Sequence, residues 1–116
     1  MNKTKWEKSK RLVEARDGEK CLKCLGPATA VHHRKVRGSG GSGDPEVNYG
    51  LANLVSVCEE CHREIHLHPA NSYENGFLVH SWEDPAKIPL TVKPGTFWVN
   101  LTPDGEINVI NQMVLF

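Results

Sequence analysis

Apolar positions in the first stretch fall at Trp6, Leu12, Val13 and Ala15, set among lysines, glutamates and arginines. Strong helix formers at the polar positions make Thr4 to Arg16 a predicted helix. Asp17-Gly18 closes it, because glycine accepts the left-handed backbone that ends a helix. Thr29-Ala30-Val31-His32-His33 reads as a short strand. Leu51 to Val57 alternates poorly and predicts a turn followed by a short strand. From Glu59 onward, Cys61-His62-Arg63-Glu64-Ile65-His66 suits a helix that Pro69 stops. Gly76-Phe77-Leu78-Val79-His80-Ser81-Trp82 predicts a further strand, and Pro85, Pro89 and Pro94 punctuate the chain beyond it. Thr96–Leu101 and Glu106–Ile110 flank Thr102-Pro103-Asp104-Gly105, a β-hairpin signal. Trp6, Trp82 and Trp98 are expected in the core.

Between the first strand and the second lies Gly38-Ser39-Gly40-Gly41-Ser42-Gly43-Asp44-Pro45, which reads as a flexible loop. Its composition resembles an engineered linker as much as a natural surface loop. The order of elements predicts an α+β domain with an N-terminal helix and a C-terminal β-hairpin extension. The expected division is a core over residues 1–70 and a β-rich extension over 71–116, packed on the same domain.

The chain has 116 residues, enough for one domain, with 39% hydrophobic and 24% charged residues. Eight aromatics promise a modest core, so a metal staple would add usefully to stability. No run approaches the roughly 20 apolar residues that span a bilayer, so no membrane association is expected. The basic start, Met1-Asn2-Lys3-Thr4-Lys5-Trp6, lacks a following apolar segment, which argues against a signal peptide. A cytoplasmic, reducing location is the expectation, and there four cysteines favour zinc over disulfides.

Net charge is zero but unevenly spread. Residues 1–37 carry eleven Lys and Arg against four acids, +7, and the remaining 79 residues carry three against ten, −7. A basic first half suits a polyanion such as nucleic acid.

Cys21-Leu22-Lys23-Cys24 and Cys58-Glu59-Glu60-Cys61 each present two sulfurs from one tight turn. Two such turns close a tetrahedron around zinc, which makes Cys21, Cys24, Cys58 and Cys61 the candidate structural site. The 33 residues between the pairs (25 to 57) exceed the span of a simple zinc ribbon, and they carry the histidine strand and the Gly-rich loop. A redox dithiol would need a thioredoxin-like context that is missing. A finger of Cys21, Cys24, His62 and His66 would orphan the second cysteine pair.

His32 and His33 are neighbours on a strand and so face opposite sides. One can bind an ion while the other faces an attacking water. His62 and His66, four residues apart, project from one helical face. Phosphodiester hydrolysis requires both a general base and a cation, and one imidazole cannot serve as both.

A His-His pair, an Asn and a His-x-x-x-His, enclosed by two Cys-x-x-Cys clips, resembles the HNH endonucleases. The run Asn53-Leu54-Val55-Ser56-Val57-Cys58 through His66 is the most specific part, and residues 16 to 68 carry the likeness. The resemblance implies a small ββα-metal finger clipped by a four-cysteine zinc site, as in phage-encoded members. It implies His33 as general base, His32, His62 and His66 as ligands of the catalytic cation, and Asn53 as a hydrogen-bonding brace for the strand bearing His33. Together, His33, Asn53 and His62 give the family its name. It also implies DNA as substrate, products with a 5′-phosphate and 3′-hydroxyl, a bacterial host cytoplasm and work beside phage terminase or packaging proteins. Many members carry Asp where this chain has His32. Three imidazoles favour Zn²⁺, Ni²⁺, Co²⁺ or Mn²⁺ over Mg²⁺, so the catalytic ion stays open. Arg34, Lys35, Arg37 and Arg63 are expected to grip the nucleic-acid backbone. The competing expectation is a zinc-stabilised nucleic-acid-binding module without catalysis.

Overall fold

The computed structural model describes residues 2–36 and 44–110. Among them are four α-helices and two small antiparallel sheets, an α+β arrangement. Helix α1 (Lys3–Arg16) starts where the Asn2 side chain accepts from the Lys5 amide at 2.9 Å. It ends at Asp17, as the Asp-Gly signal predicts. Its last residue ties it down. Arg16 pairs with Asp17 at 2.7 Å and donates to the carbonyls of Leu51 and Leu54 at 2.8 and 2.7 Å. Asp17 in turn accepts the Ser56 amide at 2.9 Å. One ion pair thus spends its remaining hydrogen-bonding capacity on the second strand's backbone.

Strand β1 (Ala30–His33) pairs with β2 (Leu54–Val57), with His32 opposite Val55 and His33 opposite Leu54. Between them lie the short helix α2 (Pro45–Tyr49) and a 3-10 turn over Leu51–Asn53. All four residues of β2 are buried, which explains its weak alternation: both faces are covered, by α1 on one side and the core on the other. Helix α3 (Glu59–Leu67) follows directly, capped by the Cys58 sulfur. Helix α4 (Pro69–Asn75) opens at the proline predicted to stop α3, since proline suits the first turn of a helix.

Gly76 ends α4 in the left-handed conformation at φ 85°, and a Cβ there would sit 2.1 Å from the Pro89 carbonyl oxygen. Only glycine fits both demands. The predicted strand over 76–82 does not form. This stretch runs instead as an irregular strap against β1, with the Val79 amide donating to the Arg34 carbonyl at 3.0 Å. The second sheet holds β3 (Leu90–Val92), β4 (Phe97–Leu101) and β5 (Ile107–Ile110), and the predicted hairpin is its β4–β5 pair. One buried cluster joins Cys21, Val55 and Ile65 to Phe77, Leu90 and Leu101, so both predicted parts share a core. Trp82 is not part of it; it is 79% exposed, and Trp98 is exposed too. The Gly/Ser stretch 38–43 lies outside the described residues.

Candidate metal centres and their histidine strand

The four cysteines come together. Their sulfurs all lie within 4.8 Å of one another, and Cys24 Sγ and Cys58 Sγ are 3.9 Å apart. Two sulfurs on tetrahedral zinc bonds of about 2.3 Å stand about 3.8 Å apart, so the spacing fits zinc and is far too long for a disulfide. Backbone amides reach two of the sulfurs: Gly26 donates to Cys24 Sγ and Cys61 to Cys58 Sγ, each at 3.3 Å. The Cys61 amide holds the Cys58 thiol below its ordinary range. Burial pushes Cys21 and Cys61 up, so those two need a cation to stay ionised. Loading zinc therefore releases protons. Extracting it with a strong chelator is expected to unfold the domain, read as loss of helical circular dichroism that returns when zinc is restored.

The second cluster is His32, His62 and His66, whose nitrogens also lie within 4.8 Å of one another. The three ring centroids form a near-regular triangle with sides of 5.0, 5.4 and 5.3 Å. His32 projects from β1 and the other two from one face of α3. His32 Nε2 sits 2.7 Å from the Phe77 carbonyl oxygen. A carbonyl only accepts, so Nε2 carries the proton and Nδ1 keeps its lone pair, the usual arrangement for a metal-ligating imidazole. Such a donor set suits a borderline divalent cation.

Burial holds His32 far below the ordinary imidazole range, at about 3, with the charges of His62, His66 and His33 adding to the effect. His62 is lowered as well, by burial and then by His66. In the unfolded chain His32 takes up its proton near 6.5, and in the fold only near 3. The unfolded state therefore binds more protons in that window, and stability present above pH 6.5 drains away as pH falls toward 3. Urea midpoints measured between pH 7 and 4 should decline, and a His32→Asn variant should decline less.

His33 faces the other way. Its ring stacks on Trp6 of α1 with centroids 5.2 Å apart and planes 18° from parallel. Its Nε2 lies 3.2 Å from the Asn48 carbonyl oxygen, which again places the proton on Nε2 and the lone pair on Nδ1. Asn53 is buried and braces the turn after β1. It accepts the Lys35 amide at 2.7 Å and donates to Val47 and Lys35 carbonyls at 2.9 and 3.3 Å, while its own carbonyl accepts the Arg34 amide at 2.8 Å. The brace grips the residues following His33, and ties them to α2.

Arg34 corrects the sequence reading. It is fully buried rather than poised at a phosphate. Its guanidinium donates to four carbonyls: Gly76 at 2.8 Å, Ala52 at 2.9 Å, Pro85 at 3.0 Å and Ile88 at 2.7 Å. Burial, with nearby Arg16, pulls its pKa down to about 9, still leaving a cation at neutral pH. Lys35 lines a cleft together with Asn53, and Arg63 is exposed on α3. Arg37 lies outside the described residues.

Sequence reasoning missed Trp6 as the wall behind His33, and the carbonyls of Asn48 and Phe77 that fix both imidazoles. The tryptophan could have been suspected from its place in a helix leading into the cysteine knuckle. Nothing in a side-chain pattern announces which carbonyl a ring will meet. No protein-family model, curated protein or solved structure matches the chain.

Proposed function

We propose that this chain is a metal-dependent HNH-type endonuclease that hydrolyses DNA phosphodiester bonds, built on a ββα-metal finger formed by β1, β2 and α3. The carrying observation is the split between two adjacent imidazoles. His32 joins His62 and His66, while His33 is held separately with its lone pair on Nδ1. A binding module has no use for that division.

In this reading His33 Nδ1 takes a proton from water as the water oxygen attacks phosphorus. The P–O3′ bond breaks, the 3′-oxygen leaves as an alkoxide that takes a proton from solvent water, and the other strand end keeps the 5′-phosphate. A divalent cation held by His32, His62 and His66 would neutralise charge building on the phosphate and the leaving oxygen. Stacking on Trp6 and the bond to Asn48 keep the His33 ring from rotating away from the water. Zinc on the four cysteines would pin the start of α3, and with it the angle at which His62 and His66 meet β1. Arg63 and the exposed lysines of α1 are the candidate contacts to the DNA backbone, whose contribution is positioning rather than sequence readout.

The deciding assay follows supercoiled plasmid with the zinc-loaded protein and added Mg²⁺, Mn²⁺, Co²⁺, Ni²⁺ or Zn²⁺. Open circles or linear DNA are expected with at least one of them. Retarded plasmid without cleavage under every ion would instead favour a nucleic-acid-binding module. Cleavage that requires an added phage terminase would make packaging proteins its partners.

A further inference from the structure

Lined in part by Asn53 and Lys35 is an open cleft of about 600 Å³. Its floor is apolar, from Val47, Leu51, Ala52, Pro85 and Ala86. Four carboxylates line it, Asp44, Glu46, Glu83 and Asp84, against the single ammonium of Lys35. Trp82 completes the lining with an indole that is 79% exposed.

That indole is prearranged. It stacks on His80 with centroids 4.5 Å apart and planes 5° from parallel, and His80 stacks on Tyr73 at 4.0 Å and 8°. The turn carrying it is closed by Glu83 N to the His80 carbonyl and by His80 N to the Glu83 carboxylate, both at 3.0 Å. One face of the ring stacks on His80, which orients the indole.

The chemistry of the lining selects the occupant. A polyanion would meet a surplus of carboxylates, so the cleft lies outside any nucleic-acid footprint. A bare metal ion needs carboxylate oxygens converging on one point, and among the described residues only the cysteine and histidine groups converge so. A guanidinium satisfies both features at once: it lies flat on an indole and bonds carboxylates in its own plane. The apolar floor would take a neighbouring aliphatic side chain. We infer that this cleft is a docking site for an arginine-bearing segment of a protein partner, anchored by cation–π stacking on Trp82 and by the Glu46, Glu83 and Asp84 carboxylates. The docking is read by binding alone, so its test does not depend on activity at the histidine site. Lys35 and Asn53 form part of the cleft wall, so an occupant would press on the turn that follows His33.

The test titrates zinc-loaded protein with a blocked peptide alternating arginine and leucine, and with the same peptide carrying glutamate for arginine. Binding is followed by the indole N–H resonance of Trp82 and by anisotropy of labelled peptide. The arginine peptide is expected to bind at least about tenfold more tightly, and to weaken as salt is raised. Trp82→Ala and Glu46→Lys should each weaken it by roughly fivefold or more. Both residues are exposed, and retained zinc content checks the fold of each variant. Equal binding of the two peptides up to roughly 1 mM would overturn the proposal. So would unchanged affinity in both variants, or a short DNA duplex that shifts the Trp82 resonance in place of the peptide.

Discussion

His33→Ala is expected to lower plasmid cleavage by roughly 10²-fold to 10⁴-fold, the usual contribution of a positioned general base. Zinc content and thermal stability should stay close to those of the parent. His33 is not among the clustered cysteines or the His32, His62 and His66 group, so neither metal cluster loses a ligand. Its ring contacts Trp6 and the Asn48 carbonyl at the half-buried edge of β1, where truncation leaves a shallow gap rather than a sealed cavity. His32→Ala should differ in kind, since it removes one of the three proposed cation ligands and a hydrogen bond to Phe77. Its cleavage defect should shrink as the divalent ion is raised, whereas that of His33→Ala should not. Cleavage by His33→Ala at the parental rate would remove that imidazole from the chemistry.

Arg34→Ala is expected to cost at least about 4 kcal/mol of stability, measured by urea unfolding of the zinc-loaded protein. The guanidinium is the common donor for four carbonyls drawn from the 3-10 turn before β2, the end of α4 and the two ends of the Pro85 turn. Removing it strands those acceptors, each at a cost of about 1–3 kcal/mol before relaxation. A domain of this size holds only about 5–15 kcal/mol in total, so unfolding at ordinary temperature is a realistic outcome. Arg34→Lys keeps a cation but has one nitrogen where the native group has three, and cannot fan out to Gly76, Ala52 and Ile88 together. It should fall between. An unchanged urea midpoint in Arg34→Ala would show that water or backbone movement replaces the arginine.

Much of this architecture is legible in the chain because its signals are local. The Asp-Gly stop of α1, the Thr-Pro-Asp-Gly hairpin and the cysteine spacing each constrain a few consecutive residues, and each appears where expected. The grouping of His32 with His62 and His66 was also legible, because strand alternation and a four-residue helical step fix directions without knowledge of the whole fold. What failed was everything decided by long-range backbone partners. Arg34 reads as a surface charge beside Lys35, and no neighbour in sequence reveals that four distant carbonyls converge on it. Gly76 to Trp82 has the composition of a strand. It is held out of a sheet because α4 ends in a left-handed glycine pressed against Pro89, because the Phe77 and Leu78 amides turn back to the Ser72 carbonyl of α4, and because the Gly76 and Phe77 carbonyls and the Val79 amide go to Arg34 and His32. Trp82 reads as core by residue type, yet the turn closed by Glu83 turns it outward.

The strap from Gly76 to Val79 has a consequence for any attempt to trim this protein. It supplies the acceptor for His32, one acceptor for Arg34 and the donor to the Arg34 carbonyl. The residues that carry the cysteine and histidine motifs end near position 70, but their outer edge is finished by chain that comes later. A fragment cut there would carry the cysteine and histidine motifs and still leave an imidazole tautomer unassigned and a buried cation with only the Ala52 carbonyl of its four acceptors. Transplanting this unit into another scaffold would therefore mean carrying the strap and the turn over 85–88 along, or designing a substitute for five backbone groups that no motif search would flag.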